Sequence, residues 1–187
     1  MKKILAILLF ICSFLGFSFA EKDIKVPSKS MKKDIPVTVI LPDGYSANKK
    51  YNTIYVLHGW SGSNKNYPDK TSIKELADQY NIIYVSPDGN YDSWYVDSPV
   101  KKDSKYYTFV SKELVDYIDS NFSTYKAKEH RAITGLSMGG FGAFYIGIKN
   151  QDVFGNIGSM SGGMNPEQYK GNWGIEKVLN SSWNEYN

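Results

Sequence analysis

The chain has 187 residues, with 22 Lys and Arg against 19 Asp and Glu, two His and a net charge of +3. This near-neutral balance gives no support for nucleic acid or an anionic membrane as the partner. A chain of this length can bury one hydrophobic core, so one domain is expected.

Residues 1–20 have the pattern of a signal peptide. Two lysines precede an apolar run, and Ser18 and Ala20 place small residues where signal peptidase reads the chain. The run is shorter than the roughly 20 residues of a membrane-spanning helix, so no stable membrane anchor is expected. Cys12 raises a lipoprotein alternative, although the bulky residue before it is wrong for lipidation. We predict an exported protein, periplasmic or secreted, whose domain occupies residues 21–187 and has no cysteine.

Strands and helices alternate along that domain. Residues 21–36 are polar and lysine-rich and predict only an extended lead-in, and residues 58–70 predict a loop. Apolar and β-branched runs predict strands at 37–41, 52–57, 82–85 and 154–161, and a central strand that begins at His130 and ends at Ser137. Helical spacing predicts helices at 71–80 (capped by Thr71 or Ser72), at 106–122 and from Ser137 to about 150. This order indicates an α/β fold with a mostly parallel sheet and helices on both faces.

The segment from Gly135 to Gly139 has the sequence Gly-x-Ser-x-Gly between a predicted strand and a predicted helix. In this setting the pattern predicts a nucleophile elbow, a sharp turn that presents Ser137. Glycines two residues before and after the serine are needed because side chains there would collide with neighbouring backbone. The dipole of the following helix favours negative charge near the serine oxygen. The alternative is an ordinary glycine-rich turn with a solvated serine.

Three blocks of the chain resemble one family of proteins. They are the strand and HGxxG loop at 54–62, the SWYVDSP segment at 93–99, and the elbow with its flanks at 131–143. In sequence and spacing these blocks resemble the esterase family of α/β-hydrolases. It includes tributyrin-type esterases, S-formylglutathione hydrolases, feruloyl and acetyl-xylan esterases, and mycolyltransferases. The resemblance covers residues 37 to about 163.

The resemblance implies roles for individual residues. Ser137 would be the nucleophile, and the backbone N–H groups of Trp60 and Met138 would form the oxyanion hole. The position of Met138 after the nucleophile, at the start of a helix, agrees with this assignment. From their position in the loops, Trp94 and Tyr95 are candidates for the substrate pocket. They belong to a wider group of loop aromatics that could bind a sugar or an aromatic acyl group, or could equally be packing elements of the loops: Trp60, Tyr67, Tyr91, Trp94 and Tyr95.

The histidines depart from the family pattern, in which acid and histidine follow the serine. The chain has only His58 and His130, and both precede Ser137. Seven residues of strand, at about 3.3 Å each, place His130 on the order of 20 Å from Ser137 at the other end of the sheet. His58 is at the right end, but the resemblance gives it a role in shaping the loop. We therefore expect an N-terminal part of an α/β-hydrolase, with the last two strands, the acid and the histidine missing.

Other polar groups suggest no further chemistry. Asp88 and Asp97 could be acids by position, but turn and loop roles are favoured. We expect no metal and no cofactor, because the sequence has no C-x-x-C, H-E-x-x-H or phosphate-loop motif.

The expected function is a serine carboxylesterase that acts through an acyl-Ser137 intermediate. Its substrate would be a small-molecule or polysaccharide-linked ester with a short-chain or sugar-linked acyl group. Transfer of the acyl group to a sugar hydroxyl is one alternative. Another alternative is a non-catalytic, carbohydrate-binding relative that lacks the histidine acting as base in the serine–acid–histidine triad. This chain itself is expected to be nearly inactive.

Overall fold

Six strands form one sheet in the computed structural model, which describes residues 20–180. The predicted signal peptide lies, apart from Ala20, outside these residues. In space the order is β1-β2-β4-β3-β5-β6. The strands are β1 (Ala20–Ser28), β2 (Lys33–Leu41), β3 (Asn52–Leu57), β4 (Ile82–Pro87), β5 (Arg131–Gly135) and β6 (Asn156–Ile157). Strands β4, β3, β5 and β6 are parallel neighbours, whereas β1 and β2 pair antiparallel. The mostly parallel α/β architecture is thus confirmed.

The prediction of an extended lead-in at 21–36 was incomplete. This segment forms β1 and the start of β2, with Ile24 opposite Val37 and Val26 opposite Ile35. Val26 is buried while the lysines around it are exposed, so one face of the strand packs on the core. Pro27 is tolerated because β1 is an edge strand, where a missing N–H need not break a ladder.

Salt bridges connect β1 to the segment that follows β3. Lys65 Nζ lies 2.6 Å from Glu21 and 2.5 Å from Asp23, and Lys74 Nζ lies 2.5 Å from Glu21. We call these four residues the Lys65 cluster. The hydrogen bond from Lys65 lowers the pKa of Asp23. Partial burial raises the pKa of Glu21, but the hydrogen bonds from the two lysines outweigh it, so that pKa is also lowered.

Helices cover both faces of the sheet. They are α1 (Asn66–Lys70), α2 (Ile73–Tyr80), α3 (Tyr106–Thr108), α4 (Leu114–Asn121) and α5 (Met138–Lys149). The predicted helix 106–122 is α3 and α4 joined by a π-helical segment, Phe109–Glu113. Helix α1 falls in the predicted loop 58–70, because five residues are too few to show a helical period. Helix α2 begins after Ser72, which occupies the cap position without a side-chain cap bond.

Alternate residues of the central strands supply two cores. Tyr55 and Leu57 of β3 belong to the large core under α4 and α5. Val56 between them belongs to a smaller core with Ile73 and Ala77 of α2. This alternation places helices on both faces, as predicted.

A buried ion pair fixes the start of β5. The Arg131 side chain is 4% exposed, and its guanidinium donates to Asp119 of α4 at 2.6 Å and to the Val153 carbonyl at 2.9 Å. The pair joins the beginning of β5 to α4.

Strand β6 is shorter than the predicted strand 154–161. Only Asn156 and Ile157 have ladder partners in β5. The chain continues beside β5 through hydrogen bonds from Gly158 N–H to the Ile133 carbonyl and from Met160 N–H to the Gly135 carbonyl, both 2.9 Å. The predicted segment therefore follows β5 to its end without forming a continuous ladder.

Candidate active site

Ser137 stands on a strained turn between β5 and α5. Its φ is 55° and its ψ is −116°, outside the conformations that ordinary residues adopt. The residue is exposed, directly after the end of a buried parallel strand. The geometry is that of the predicted nucleophile elbow.

The glycines on either side are required by close backbone contacts. A Cβ on Gly135 would lie 2.3 Å from the Gly139 carbonyl oxygen, and one on Gly139 would lie 2.0 Å from the Leu57 carbonyl oxygen. The helix start, the end of β5 and the end of β3 are therefore packed backbone against backbone. Any side chain at either position would force these elements apart.

Hydrogen bonds hold the turn from both sides. Leu136 N–H donates to the Leu57 carbonyl at 3.1 Å, and Ser137 N–H donates to the Met160 carbonyl at 2.8 Å. The contact with Met160 was not predicted, because nothing local in the sequence shows that the chain after β6 returns to the elbow. The serine backbone is thus fixed between β3 and the segment after β6.

Two N–H groups near the serine have no acceptor within residues 20–180. Met138 is the first residue of α5, where the N–H has no partner within the helix. Trp60 lies in the loop after β3, where the neighbouring Ser61 and Gly62 N–H groups are bonded to carbonyls but that of Trp60 is not. This loop is close to the serine, since a Cβ on Gly59 would be 3.6 Å from the Ser137 Cβ. Neither N–H therefore donates to a backbone carbonyl of the described residues, and an oxyanion role for both stays a prediction.

The His58 imidazole is fully engaged with backbone. The side chain is buried, its Nδ1 lies 2.7 Å from the Gly59 carbonyl oxygen, and Gly89 N–H donates to its Nε2 at 2.8 Å. Because a carbonyl can only accept, Nδ1 carries the proton and Nε2 is the acceptor. Asp88 Oδ1, 3.8 Å from Nε2, is too distant for a hydrogen bond. His58 thus links the loop after β3 to the loop after β4, and it has no free nitrogen for Ser137.

His130 lies at the other end of β5. It directly precedes the strand, stacks on Tyr125 at 4.3 Å and lies 2.8 Å from the Asn52 side chain. The prediction that it is remote from the serine is confirmed. Neither imidazole of the chain is placed to take a proton from Ser137.

A family match follows this geometry. The model of the family described as "Putative esterase" matches residues 28–187, which includes the elbow and the loop of His58. The chain belongs to the Esterase family.

Relatives within the Esterase family are longer than this chain. An esterase of Mycobacterium tuberculosis is 36% identical over 132 residues, covering 67% of this chain and 28% of that protein. An acetyl esterase of Caldicellulosiruptor saccharolyticus is 31% identical over 170 residues, covering 86% of this chain and 61% of that protein.

Solved structures confirm the fold. An S-formylglutathione hydrolase from Agrobacterium tumefaciens superposes with a TM-score of 0.79 at 21% identity, over 89% of this chain and 68% of that one. At this identity the similarity establishes the α/β-hydrolase fold.

A search of residues 20–180 for membrane-spanning helices finds none with the length and apolar character required.

Trp94 and Tyr95, the candidate pocket residues, are both in the core of this Esterase-family chain. They are 3% and 0% exposed. The Tyr95 hydroxyl donates to the His58 carbonyl at 3.2 Å, and its ring packs on Gly142 of α5. Burial raises the pKa of Tyr95 well above its usual value, so the phenol stays a donor. A pocket role for these two residues stays a prediction, and their packing disfavours it.

Two acidic side chains of this region accept hydrogen bonds from nearby loop and helix residues. Asp97 accepts from the Thr108 N–H at 3.0 Å and from its hydroxyl at 2.5 Å. Asp88 accepts from the Asn90 N–H at 2.7 Å, as in an Asx turn. The predicted turn and loop roles are confirmed. Within residues 20–180, no group of three or more His, Cys, Asp or Glu side chains could hold a metal ion.

Strained backbone is concentrated around the elbow. Nine described residues other than glycine have positive φ, and all but Lys32 and Asn81 lie in loops at the carboxyl end of the parallel strands. These seven are Ser61, Asn90, Trp94, Tyr95, Ser137, Ser161 and Trp173. Such residues persist where the surrounding structure holds them, most often at functional sites.

Proposed function

We propose that the protein is an exported serine carboxylesterase that acts through an acyl-Ser137 intermediate on short-chain or sugar-linked acyl esters. The backbone of Ser137, at φ 55° between the end of β5 and the start of α5, carries this proposal. Membership of a family with esterase and acetyl esterase relatives supports ester hydrolysis. The signal-peptide pattern of residues 1–20 supports export.

The proposed reaction has two stages. Ser137 Oγ attacks the ester carbonyl carbon, the Oγ–carbon bond forms, and the carbonyl oxygen becomes an oxyanion. The N–H groups of Met138 and Trp60 stabilise this oxyanion, each being worth about 10²–10³ in rate. The bond from carbon to the alcohol oxygen then breaks, and the proton from Oγ passes through a base to the departing alcohol. Water attacks the acyl carbon in the second stage, releases the acid and returns a proton to Oγ.

The base in this scheme is neither His58 nor His130. One has both nitrogens bonded to backbone, and the other is at the far end of β5. Because a serine hydroxyl is a weak nucleophile without a base, we expect the 187-residue chain to react slowly near neutral pH.

Covalent labelling tests the assignment of Ser137. A fluorophosphonate is incubated with the protein, and the modified residue is identified by peptide mass mapping. We expect slow labelling of Ser137 at pH 7, faster labelling when imidazole is added as an external base, and none in Ser137→Ala. Ser161→Ala is the matched control, because Ser161 is also an exposed serine at positive φ near the elbow. This variant should still be labelled at Ser137, since Ser161 itself should not take the label. Absence of a Ser137 adduct even with imidazole at pH 9 would contradict the proposal.

A second candidate is a non-catalytic carbohydrate-binding protein of the same fold. The observation that favours it is the lack of an available imidazole near the serine. It predicts no adduct at Ser137 under any of these conditions, so the same labelling experiment separates the two candidates.

A further inference from the structure

The same tripeptide, Pro-Asp-Gly, occurs twice in the chain, at 42–44 and at 87–89. In an Asp-Gly pair the backbone nitrogen of glycine can attack the aspartate carboxyl group, because glycine has no side chain to obstruct the approach. The first tripeptide follows β2 and the second includes the end of β4. Because β2 and β4 are antiparallel neighbours, the two turns lie at opposite ends of the sheet, and the second is at the end that carries Ser137.

The Asp43-Gly44 peptide is open to solvent, and its nitrogen is next to the carboxylate. Both residues are exposed. Gly44 N–H donates to Asp43 Oδ1 at 3.0 Å, and within residues 20–180 this N–H has no backbone acceptor. A Cβ placed on Gly44 would meet no atom of a non-neighbouring residue within 4 Å. The two groups are thus in contact, with free space around them.

The flanks of this turn are held in place. Asp43 N–H donates to Asp78 Oδ1 at 3.1 Å, and Tyr45 N–H donates to the Pro42 carbonyl at 3.0 Å. Gly44 has a φ of 68°, which glycine adopts without strain. Two reacting groups that the fold keeps side by side react faster than the same groups in a chain that samples many conformations.

The Asp88-Gly89 peptide is protected on every count. Gly89 is buried, its N–H donates to His58 Nε2 at 2.8 Å, and a Cβ there would lie 2.4 Å from the Tyr95 ring. The Asp88 carboxylate accepts instead from the Asn90 N–H, at 2.7 Å. The nitrogen is thus bonded to an imidazole, and the ring of Tyr95 occupies the space that a new covalent ring would need.

We propose that Asp43 is a site of spontaneous covalent modification, at which aspartate becomes isoaspartate through a cyclic imide. In the first step Gly44 N bonds to Asp43 Cγ and loses its proton, and one carboxyl oxygen leaves as water. In the second step water adds to the former backbone carbonyl carbon of Asp43, the bond from that carbon to Gly44 N breaks, and the nitrogen stays bonded to Cγ. One water is lost and one is taken up, so the mass is unchanged and no co-reactant is needed. The inference is independent of the proposed function.

The product has a backbone that is one atom longer within the turn. The added atom falls between residues whose hydrogen bonds connect the turn to α2 and close it on Pro42. We therefore expect the modified protein to unfold a few degrees lower. Labelling of Ser137 should be unchanged, because the elbow is at the other end of the sheet.

Ageing followed by peptide mapping tests the site. The protein is kept at pH 6 and 37 °C for several weeks and digested, and isoaspartate is located by electron-transfer fragmentation of the peptides. We expect isoaspartate at position 43 to form at least about tenfold faster than at position 88, since about 1.4 kcal/mol to release the Gly89 N–H already gives that factor.

Unfolded protein is the matched control, because both positions lie in the same tripeptide. In concentrated urea the two rates should become similar. A second comparison uses Asp43→Asn and Asp88→Asn, in which ring closure releases ammonia and raises the peptide mass. The first variant should deamidate at position 43 in the folded state, and the second should remain intact at position 88 until it is unfolded.

Three results would overturn the site. The first is equal rates at positions 43 and 88 in the folded protein. The second is no isoaspartate at position 43 over the period in which the unfolded chain forms it, or none in either state. The third is a difference between the positions that persists in urea, because it would then come from neighbouring sequence and not from the contacts of Gly44 and Gly89.

Discussion

Replacing Gly139 with alanine should break the elbow, although the residue is helical. Alanine is normally more stable than glycine within a helix by about 0.5–1 kcal/mol. Here the new Cβ would lie 2.0 Å from the Leu57 carbonyl oxygen and 2.6 Å from that of His58. Since ordinary contact begins at 3.4 Å, the end of β3 would have to move by about 1.4 Å, the difference between 3.4 and 2.0 Å.

The size of the effect follows from which atoms collide. Overpacking a core usually costs about 1–3 kcal/mol, and flexible side chains relieve much of the overlap. At Gly139 the colliding atoms are backbone atoms of the strand and loop that adjoin the serine. We therefore expect a loss of about 3 kcal/mol or more, a large part of the roughly 5–15 kcal/mol that stabilises a typical domain.

Urea unfolding followed by circular dichroism measures this loss. Gly59→Ala is the matched control in the same site, because its Cβ would meet the Leu136 carbonyl oxygen at 3.3 Å and the Ser137 Cβ at 3.6 Å. We expect it to change the free energy of unfolding by less than about 1 kcal/mol. A Gly139→Ala protein as stable as the unmodified one would refute the argument from backbone contact. Failure to recover folded Gly139→Ala, while Gly59→Ala folds, would agree with it.

Two further predictions concern charges away from the serine. Asp119→Ala should lower the free energy of unfolding by about 3–5 kcal/mol, because it leaves the buried Arg131 guanidinium without its carboxylate. Thermal unfolding tests it, with the exposed Asp116→Ala as control; equal effects would contradict a buried pair. In the Lys65 cluster the carboxyl pKa values are lowered on folding, so its stabilisation is present above the ordinary values of 4.5 and 3.8 and disappears as pH falls below them. Lys65→Met should therefore cost up to about 1 kcal/mol at pH 7 and nothing near pH 2, and a cost independent of pH would exclude this origin.

Much of the fold could be predicted because its strands and helices are strongly patterned. β3 and β4 are continuous apolar runs, which indicate strands buried on both faces. The apolar residues of α2 recur at helical spacing, which indicates a helix with one buried face. Strand β1 was missed because an edge strand with one buried face needs few apolar residues, and its lysines and Pro27 hide the alternation. The length of β6 was overestimated because the chain there follows β5 without pairing at every residue.

The candidate site was predictable only where a local pattern determines geometry. Gly135 and Gly139 predict the elbow because no other residue fits those contacts. The burial of Trp94 and Tyr95 depends on α5 and on the segment after β6, which are distant in sequence. The hydrogen bond from Trp94 Nε1 to the Trp173 carbonyl could not be predicted, because the two residues are 79 positions apart. The bond between Ser137 and Met160 is hidden for the same reason.

The contacts of His58 separate two parts of the proposed reaction, namely stabilisation of the oxyanion and removal of the serine proton. One buried imidazole joins Gly59 to Gly89, and the Tyr95 hydroxyl holds the carbonyl of His58, so the loop with the Trp60 N–H is fixed without a substrate. Donors held in this way stabilise an oxyanion without reorganising during the reaction. Proton transfer, which typically contributes about 10²–10⁴ in rate, needs a base with a free nitrogen or oxygen near Ser137. His58 cannot serve both purposes, because freeing Nε2 would break its bond to Gly89 and loosen the loop. The imidazole that fixes the loop of the proposed Trp60 donor is therefore excluded from activating Ser137.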